Sequence, residues 1–189
     1  MDPTIELRAV ERFPEPEFTQ LVDRLLHDPD RKAIAERFLG SAGTAPPGDP
    51  ARHVRIGAFA ANRLVGWSHA VLAHGGVLYV SNSAVDDAYR RRGLYSRLIA
   101  AMEEQARALG CVRIESHHRT GNAAVLIAKL KAGYTITGTE FAAEMGLLVK
   151  MSKHLHPGRE ALLQARAGRL EEAARFFGRA GSDADSAGR

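Results

Sequence analysis

Apolar and polar positions change period several times along the chain, and each change marks an element. "TIELRAV" (4–10) alternates as a strand does. "EPEFTQLVDRLLHD" places Phe18, Leu21, Val22, Leu25 and Leu26 at helical spacing, with Pro16 in the first turn. "RKAIAERFL" (31–39) is a shorter helix ending at Gly40, and the Gly- and Pro-rich stretch 40–53 is a loop. The period then drops to two. "VRIGAFAA" and "LVGWSHAVLA" flank Asn62-Arg63 as a hairpin, and "GGVLYVSNSAV" follows a two-glycine turn as a further strand. "GLYSRLIAAMEEQARALG" is an amphipathic helix whose inner face is Leu94, Leu98, Met102, Ala106 and Leu109, stopped by Gly110. "CVRIESHH" is a strand, "TGNAAVLIAKLKAG" a helix stopped by Gly133, and "YTITGTEF" and "GLLVKMSKHL" pair as the closing strands. The predicted order is β-α-α-β-β-β-α-β-α-β-β.

A last helix is expected over 157–177, carrying Leu162, Leu163, Leu170, Phe176 and Phe177. It either packs on its own domain or meets a second subunit. "GRAGSDADSAGR" has the composition of a disordered tail. The expected division is a domain over 1–155, a helical extension over 156–178 and a tail over 179–189. No internal repeat is present.

Composition narrows the class. Of 189 residues, 45% are hydrophobic, enough for a real core. The single cysteine, Cys111, rules out an intrachain disulfide, which fits a reducing compartment. No apolar run approaches the ~20 residues of a membrane span, and the N-terminal stretch lacks an apolar leader core. The expectation is a soluble cytoplasmic protein. The net charge of +4 favours anionic partners, but the basic residues are scattered and only 6% of residues are aromatic, which disfavours nucleic acid. No ligand spacing suggests a metal.

The basic residues gather once, in "DDAYRRRGLYSRLI" (86–99), where Arg90, Arg91 and Arg92 precede Gly93 and a helix start. The first N–H groups of a helix lack internal partners and lie at the positive end of its dipole, so such a start binds anions. By itself the stretch reads equally as a solvated basic turn or as a polyphosphate seat. Its surroundings resemble one family. Arg90-Arg91-Arg92-Gly93-Leu94-Tyr95 is similar to the Gln/Arg-x-x-Gly-x-Gly/Ala pyrophosphate loop of the GNAT superfamily, the acyl-CoA-dependent N-acyltransferases. "LYVSNSAVDDAYR" looks like the family's fourth strand and the turn into that loop. "GNAAVLIAKLKAGY" looks like its second motif, with Asn122 opening a helix and Gly133-Tyr134 closing it.

The resemblance implies an α/β (α+β) GNAT fold: a mixed, mostly antiparallel sheet of six to seven strands flanked by helices, with an extra C-terminal helix. It implies an acetyltransferase that moves an acetyl group from acetyl-CoA to an amine, without a metal, and a dimer is common in the family. Arg90, Arg91, Arg92, Gly93, Leu94, Tyr95 and Ser96 would hold the CoA pyrophosphate. Ser83, Ala84 and Val85 would pair with the pantetheine arm where the fourth and fifth strands splay, and a backbone N–H near Val85 would stabilise the oxyanion. Asn122 would bond the cofactor arm, a role compatible with capping its helix. Two positions depart from the pattern. Tyr95 fills the last small-residue slot of the loop. Lys129, counted among the cofactor-binding positions, stands where many members carry the tyrosine that protonates the thiolate.

Candidates for proton transfer follow from alternation. Tyr79 and Ser81 share one face of the fourth strand. Tyr79 relays a proton, donates to the thiolate, or is a packed aromatic. Glu115 on the fifth strand is the best-placed carboxylate, with His117 on its face and His118 on the other; each also reads as a solvated strand-end group. His69 on the third strand is a further candidate. The absence of a tyrosine at 129 keeps a second reading open, a domain that binds acyl-CoA as a sensor without turnover. The helices before residue 40, with Asp28, Asp30, Arg31, Lys32, Glu36 and Arg37, would border the acceptor, and their mixed charge selects no acceptor class.

Overall fold

The computed structural model describes residues 4–26, 52–143, 145–171, 174–176 and 178. Along these run β1 (Ile5–Ala9), α1 (Glu17–Leu26), β2 (His53–Ala60), β3 (Arg63–Ala73), β4 (Val77–Val85), a 3-10 turn (Asp87–Tyr89), α2 (Leu94–Ala108), β5 (Arg113–Arg119), α3 (Ala123–Lys131), β6 (Thr135–Ala142), β7 (Gly146–His154) and α4 (Pro157–Arg166). The helix expected over 31–39, most of the 40–53 loop, the six charged residues named above, Phe177 and the 179–189 tail lie outside the described residues.

The strands form one sheet in the order β1-β2-β3-β4-β5-β7-β6. All neighbours are antiparallel except β4 and β5. A parallel pair needs a crossover, and α2 supplies it. The β2–β3 hairpin turns on Ala61 and Asn62, both at positive φ (47° and 67°), the twist that flanking strands favour. The two-glycine turn before β4 is also present, with Gly75 and Gly76 at φ 72° and 70°.

Helices cover both faces. On the first, α2 buries Leu94, Leu98, Met102 and Ala106 against Leu78, Val80, Ile114, Val149 and Met151. Leu109 of the expected stripe is half-buried. Each such leucine, isoleucine, valine or methionine contributes about 1.5–3 kcal/mol by leaving water. On the second face, α1 sets Phe18 edge-on against the fully buried Trp67, in a cluster with Phe13, Leu21, Phe59 and Leu64. The C-terminal helix is shorter than its apolar pattern suggests. It ends at Arg166, and Gly168 at φ +84° breaks the run. Its Gln164 donates to Thr135 Oγ1 (3.1 Å), which docks α4 on its own sheet. Among the described residues no helix is long and apolar enough to cross a membrane.

Candidate functional site

The sheet opens at one place. β4 and β5 pair only from Val77↔Arg113 to Val80↔Ser116. Beyond that row β4 continues to Val85 beside β3, and β5 continues to Arg119 beside β7. Among the described residues the two facing edges have no strand partner, so a wedge-shaped gap forms between them. β4 also carries a bulge. Ala70 pairs with Val80 and His69 with Asn82, so Ser81 is the extra residue, at the apex of the gap. A bulge re-aims neighbouring side chains. Here it turns Ser81 and Asn82 to the same face, toward His69 and Trp67 respectively.

The basic loop closes one end of the gap. Gly93 caps α2 in the left-handed region (φ 72°, ψ 2°). A Cβ there would touch nothing within 4 Å, so the glycine is required by its dihedral angle and not by crowding. The first helical bond runs from Arg97 N to Gly93 O, which leaves the N–H groups of Leu94, Tyr95 and Ser96 directed out of the helix start. The three arginines differ. Arg90 is built into the protein: Nε donates to Val85 O (3.0 Å) and Nη1 pairs with Asp87 Oδ1 (2.6 Å). Arg91 is exposed at φ +60°, and Arg92 lies over the Tyr89 ring at 5.8 Å. Tyr95 packs its ring against the core, off the loop, and burial pushes its hydroxyl pKa well up. Its bulk therefore does not obstruct the helix start.

Acid–base groups collect on the second face. Tyr79 lies opposite Glu115 in the last paired rows. Its Oη is 3.3 Å from His117 Nδ1, and His117 Nε2 is 3.2 Å from Glu140 Oε2, so the three form a chain that runs from the gap across the sheet toward β6. Burial, reinforced by the Glu140 and Glu115 charges, raises the Tyr79 pKa above that of an ordinary phenol and keeps it protonated. Glu115 is tied up. Arg113 Nε (2.5 Å), Lys150 Nζ (3.2 Å) and Ser152 Oγ (3.3 Å) all reach its carboxylate. Burial pushes its pKa up, but the bonds from Arg113 and Lys150 outweigh this and leave it below the usual range. A carboxylate so held is a weak base. His118 faces the other side, bonded to Ser116 Oγ (2.9 Å); burial, then Lys129 and His117, bring its pKa down to about 4.

The second motif plays a largely structural part in this geometry. Asn122 Oδ1 accepts from Val125 N (3.4 Å) and caps α3. Lys129 is only 2% exposed, with Nζ 4.0 Å over the Tyr134 ring. Glu103 lies nearby, held by Lys153 (2.8 Å) and Arg107 (3.5 Å). Lys153 pairs with Ile114, on a row where β4 and β5 are still joined, while the Lys129 charge reaches His118, beyond the last paired row. Burial lowers the Lys129 pKa to about 7, with Glu103 opposing and Lys153 adding to the shift. The Tyr134 hydroxyl feels the Glu103 charge without reaching hydrogen-bond geometry. Cys111 is buried just ahead of β5, as a small core residue.

Sequence reasoning missed the anchor of the loop. Asp86 caps the 3-10 turn through Ala88 N (3.1 Å) and pairs with Arg24 of α1 (2.9 Å) and Arg63 (4.0 Å). Burial raises its pKa, but the Arg24 bond and the surrounding donors and charges win, and the net shift is downward. An aspartate ahead of a 3-10 turn was a readable cap signal; its distant arginine partners were not. Glu140 and His53 were also missed, since both act across strands. Among the described residues, no three His, Cys, Asp or Glu side chains converge as metal ligands.

Residues 9–132 fit the model of the acetyltransferase (GNAT) family. No curated protein matches the chain. Among solved structures, the chain is similar to nourseothricin acetyltransferase (22% identity, TM-score 0.50), over 56% of this chain and 66% of that one, just under two thirds of its length. It is similar to a Bacillus subtilis acetyltransferase in complex with CoA (17%, TM-score 0.59), over 81% and 100%. It is also similar to the ribosomal-protein-S18-alanine N-acetyltransferase of Escherichia coli (15%, TM-score 0.60), over 79% and 92%.

Proposed function

Because the chain belongs to the acetyltransferase (GNAT) family, we propose that it moves an acetyl group from acetyl-CoA to a primary amine by direct attack in a ternary complex. The observation that carries this reading is the gap between β4 and β5, with the open start of α2 at its end. An anionic, extended thioester suits both features. Its pyrophosphate would rest on the N–H groups of Leu94 to Ser96, in the field of Arg91 and Arg92. Its amide-bearing arm would lie along the free edge of β4. Arg90 already occupies the Val85 carbonyl, so Ser81 to Ala84 carry most of the remaining capacity.

Binding, oxyanion and leaving group then each have a group at hand. Holding amine and thioester in contact contributes up to ~7–11 kcal/mol of the barrier reduction. A β4 backbone N–H beside the bulge stabilises the oxyanion. Tyr79, kept protonated, donates a hydrogen bond to the departing sulfur, and His117 with Glu140 fixes its direction. An alkylammonium about 3.4 pKa units above neutrality costs roughly 4.6 kcal/mol to deprotonate, so the amine also needs a proton acceptor.

The test mixes protein, acetyl-CoA, a thiol reagent and a panel of primary amines (a polyamine, an aminoglycoside, a peptide with a free α-amine). Amine-dependent CoA release above hydrolysis is the expected result. Tight CoA binding by calorimetry without release supports the sensor reading instead, which the ion-paired state of Glu115 favours. A homodimer and a cytoplasmic site remain proposals; the exposed Phe141 and Ile136 on edge strand β6 support the first, and sedimentation tests it.

A further inference from the structure

Beside the apex of the gap, on the side of β4 away from β5, three side chains form a chain across three strands. Ser81 Oγ is 3.1 Å from His69 Nδ1. His69 Nε2 is 3.0 Å from His53 Nδ1, and the two rings lie within 17° of parallel. Ser81 and His53 are exposed, while His69 between them is half-buried. The chain therefore has one end at the gap and the other in solvent. The acyl-transfer residues described above do not use it, and a transfer to an amine needs somewhere for the amine's proton to go.

We propose that Ser81, His69 and His53 form the route by which the acceptor amine loses its proton, with His69 as the base and His53 as the exit. This inference rests on the acetyltransferase reading. The bound alkylammonium first gives an N–H proton to Ser81 Oγ. The Ser81 O–H proton passes to His69 Nδ1, the His69 Nε2 proton to His53 Nδ1, and the His53 Nε2 proton to water. The neutral nitrogen then forms its bond to the thioester carbonyl, the C–S bond breaks, and its second N–H proton passes through water to the thiolate held by Tyr79, so the balance closes with no other reactant. In the resting arrangement Ser81 Oγ also lies 3.1 Å from His69 O, a bond it gives up when the hydroxyl turns to Nδ1.

The surroundings keep His69 ready for this role. Among the described residues, the charged or titratable groups facing it are Arg55 and His53 from β2; β4 presents the neutral Ser81 and Asn82. Burial, then Arg55, then His53 hold its pKa below 6.5, so the ring is neutral at pH 7 with a lone pair free. Arg55 is itself anchored to Glu11 O (2.9 Å), so its charge is a fixed part of the setting.

The test compares the whole chain with its His69→Gln and His53→Gln variants in the thiol-release assay from pH 5.5 to 10. The substrate is acetyl-CoA with the best amine of the panel, and CoA affinity is followed by calorimetry. Removal of a general base is expected to cost His69→Gln roughly 10²-fold or more in kcat at pH 7, with CoA affinity retained. The loss should shrink toward pH 10, where roughly a quarter of an alkylamine of pKa about 10.4 is already neutral. His53→Gln should lose less, and His69→Ala should regain activity with added imidazole. A His69→Gln loss that stays constant with pH, or no loss, or no imidazole rescue together with a normal His53→Gln profile, overturns the route while leaving acyl transfer intact. Failure of the acetyltransferase reading shows differently, as no amine-dependent release by the unaltered chain, and it overturns the route as well.

Discussion

Replacing Lys129 with methionine should stabilise the protein, by an amount that falls as pH rises. Lys129 is 2% exposed on α3, and its ammonium contacts the Tyr134 ring. Its pKa falls from 10.5 to about 7, first through burial. Below pH 7 the group is charged in both the folded and the unfolded chain, and the fold bears the whole cost of a buried ammonium. At about 1.36 kcal/mol per pKa unit, the shift of roughly 3.5 units corresponds to about 5 kcal/mol. Between pH 7 and 10.5 the unfolded chain holds a proton that the folded one gives up, so stability rises with pH. At pH 9.5 roughly 1–2 kcal/mol of the cost remains, and above 10.5 it vanishes. Methionine fills the same space without the charge, and Glu103 keeps Lys153 and Arg107 as partners. Urea unfolding of both proteins at pH 6, 8 and 9.5 measures the difference directly. An advantage near 5 kcal/mol at pH 6 that shrinks to between 1 and 2 by pH 9.5 is expected. A difference that does not change with pH, or a methionine variant less stable at pH 6, would show that the ammonium is satisfied where it lies and would refute the argument.

Three further outcomes follow from the site. Gly93→Ala forces a side chain into φ +72°, at about 1–2 kcal/mol, and should lower stability and weaken CoA binding together, read by thermal unfolding and calorimetry. Tyr79→Phe removes a hydrogen bond to a developing charge worth about 1.5–3 kcal/mol, so kcat should fall roughly tenfold to a hundredfold while CoA affinity holds; an unchanged kcat would return Tyr79 to the role of a packed ring. Asp86 contributes stability above the unfolded carboxylate pKa of 3.8, and this is lost as pH falls through its lower folded value. Asp86→Asn should therefore unfold more easily at pH 7 and flatten the acid limb of the stability profile below pH 4, measured by denaturant midpoints.

The local elements were legible because short-range physics sets them. Leu94, Leu98, Met102 and Ala106 recur at helical spacing and are the buried face of α2. The glycine before them stands where a left-handed residue was needed. The basic loop, the capping Asn122 and the shared face of Tyr79 and Ser81 follow the same way. What a side chain meets across the sheet was not legible. Glu115 looked like the free carboxylate of β5, but Lys150 and Ser152 come from β7, a strand more than thirty residues away in the chain, and only the β5–β7 register brings them to it. Lys129 gave no sign in the sequence of facing Tyr134 and Glu103.

The chain's own pattern thus determined which stretches coil, which extend and which end of α2 attracts an anion, since each depends on neighbours within a few residues. Strand register is a different matter. The two-residue turn at Ala61-Asn62 would by itself pair His69 with Val54 and send His53 to the opposite face. The shift at Ala58/Phe59 moves that register by one, so His69 pairs with Arg55 and His53 comes to the face of His69. The bulge at Ser81 then aims its hydroxyl at the same ring. A single-residue slip inverts the face of every residue beyond it, and the packing of the whole sheet, not the local sequence, decides where the slip falls.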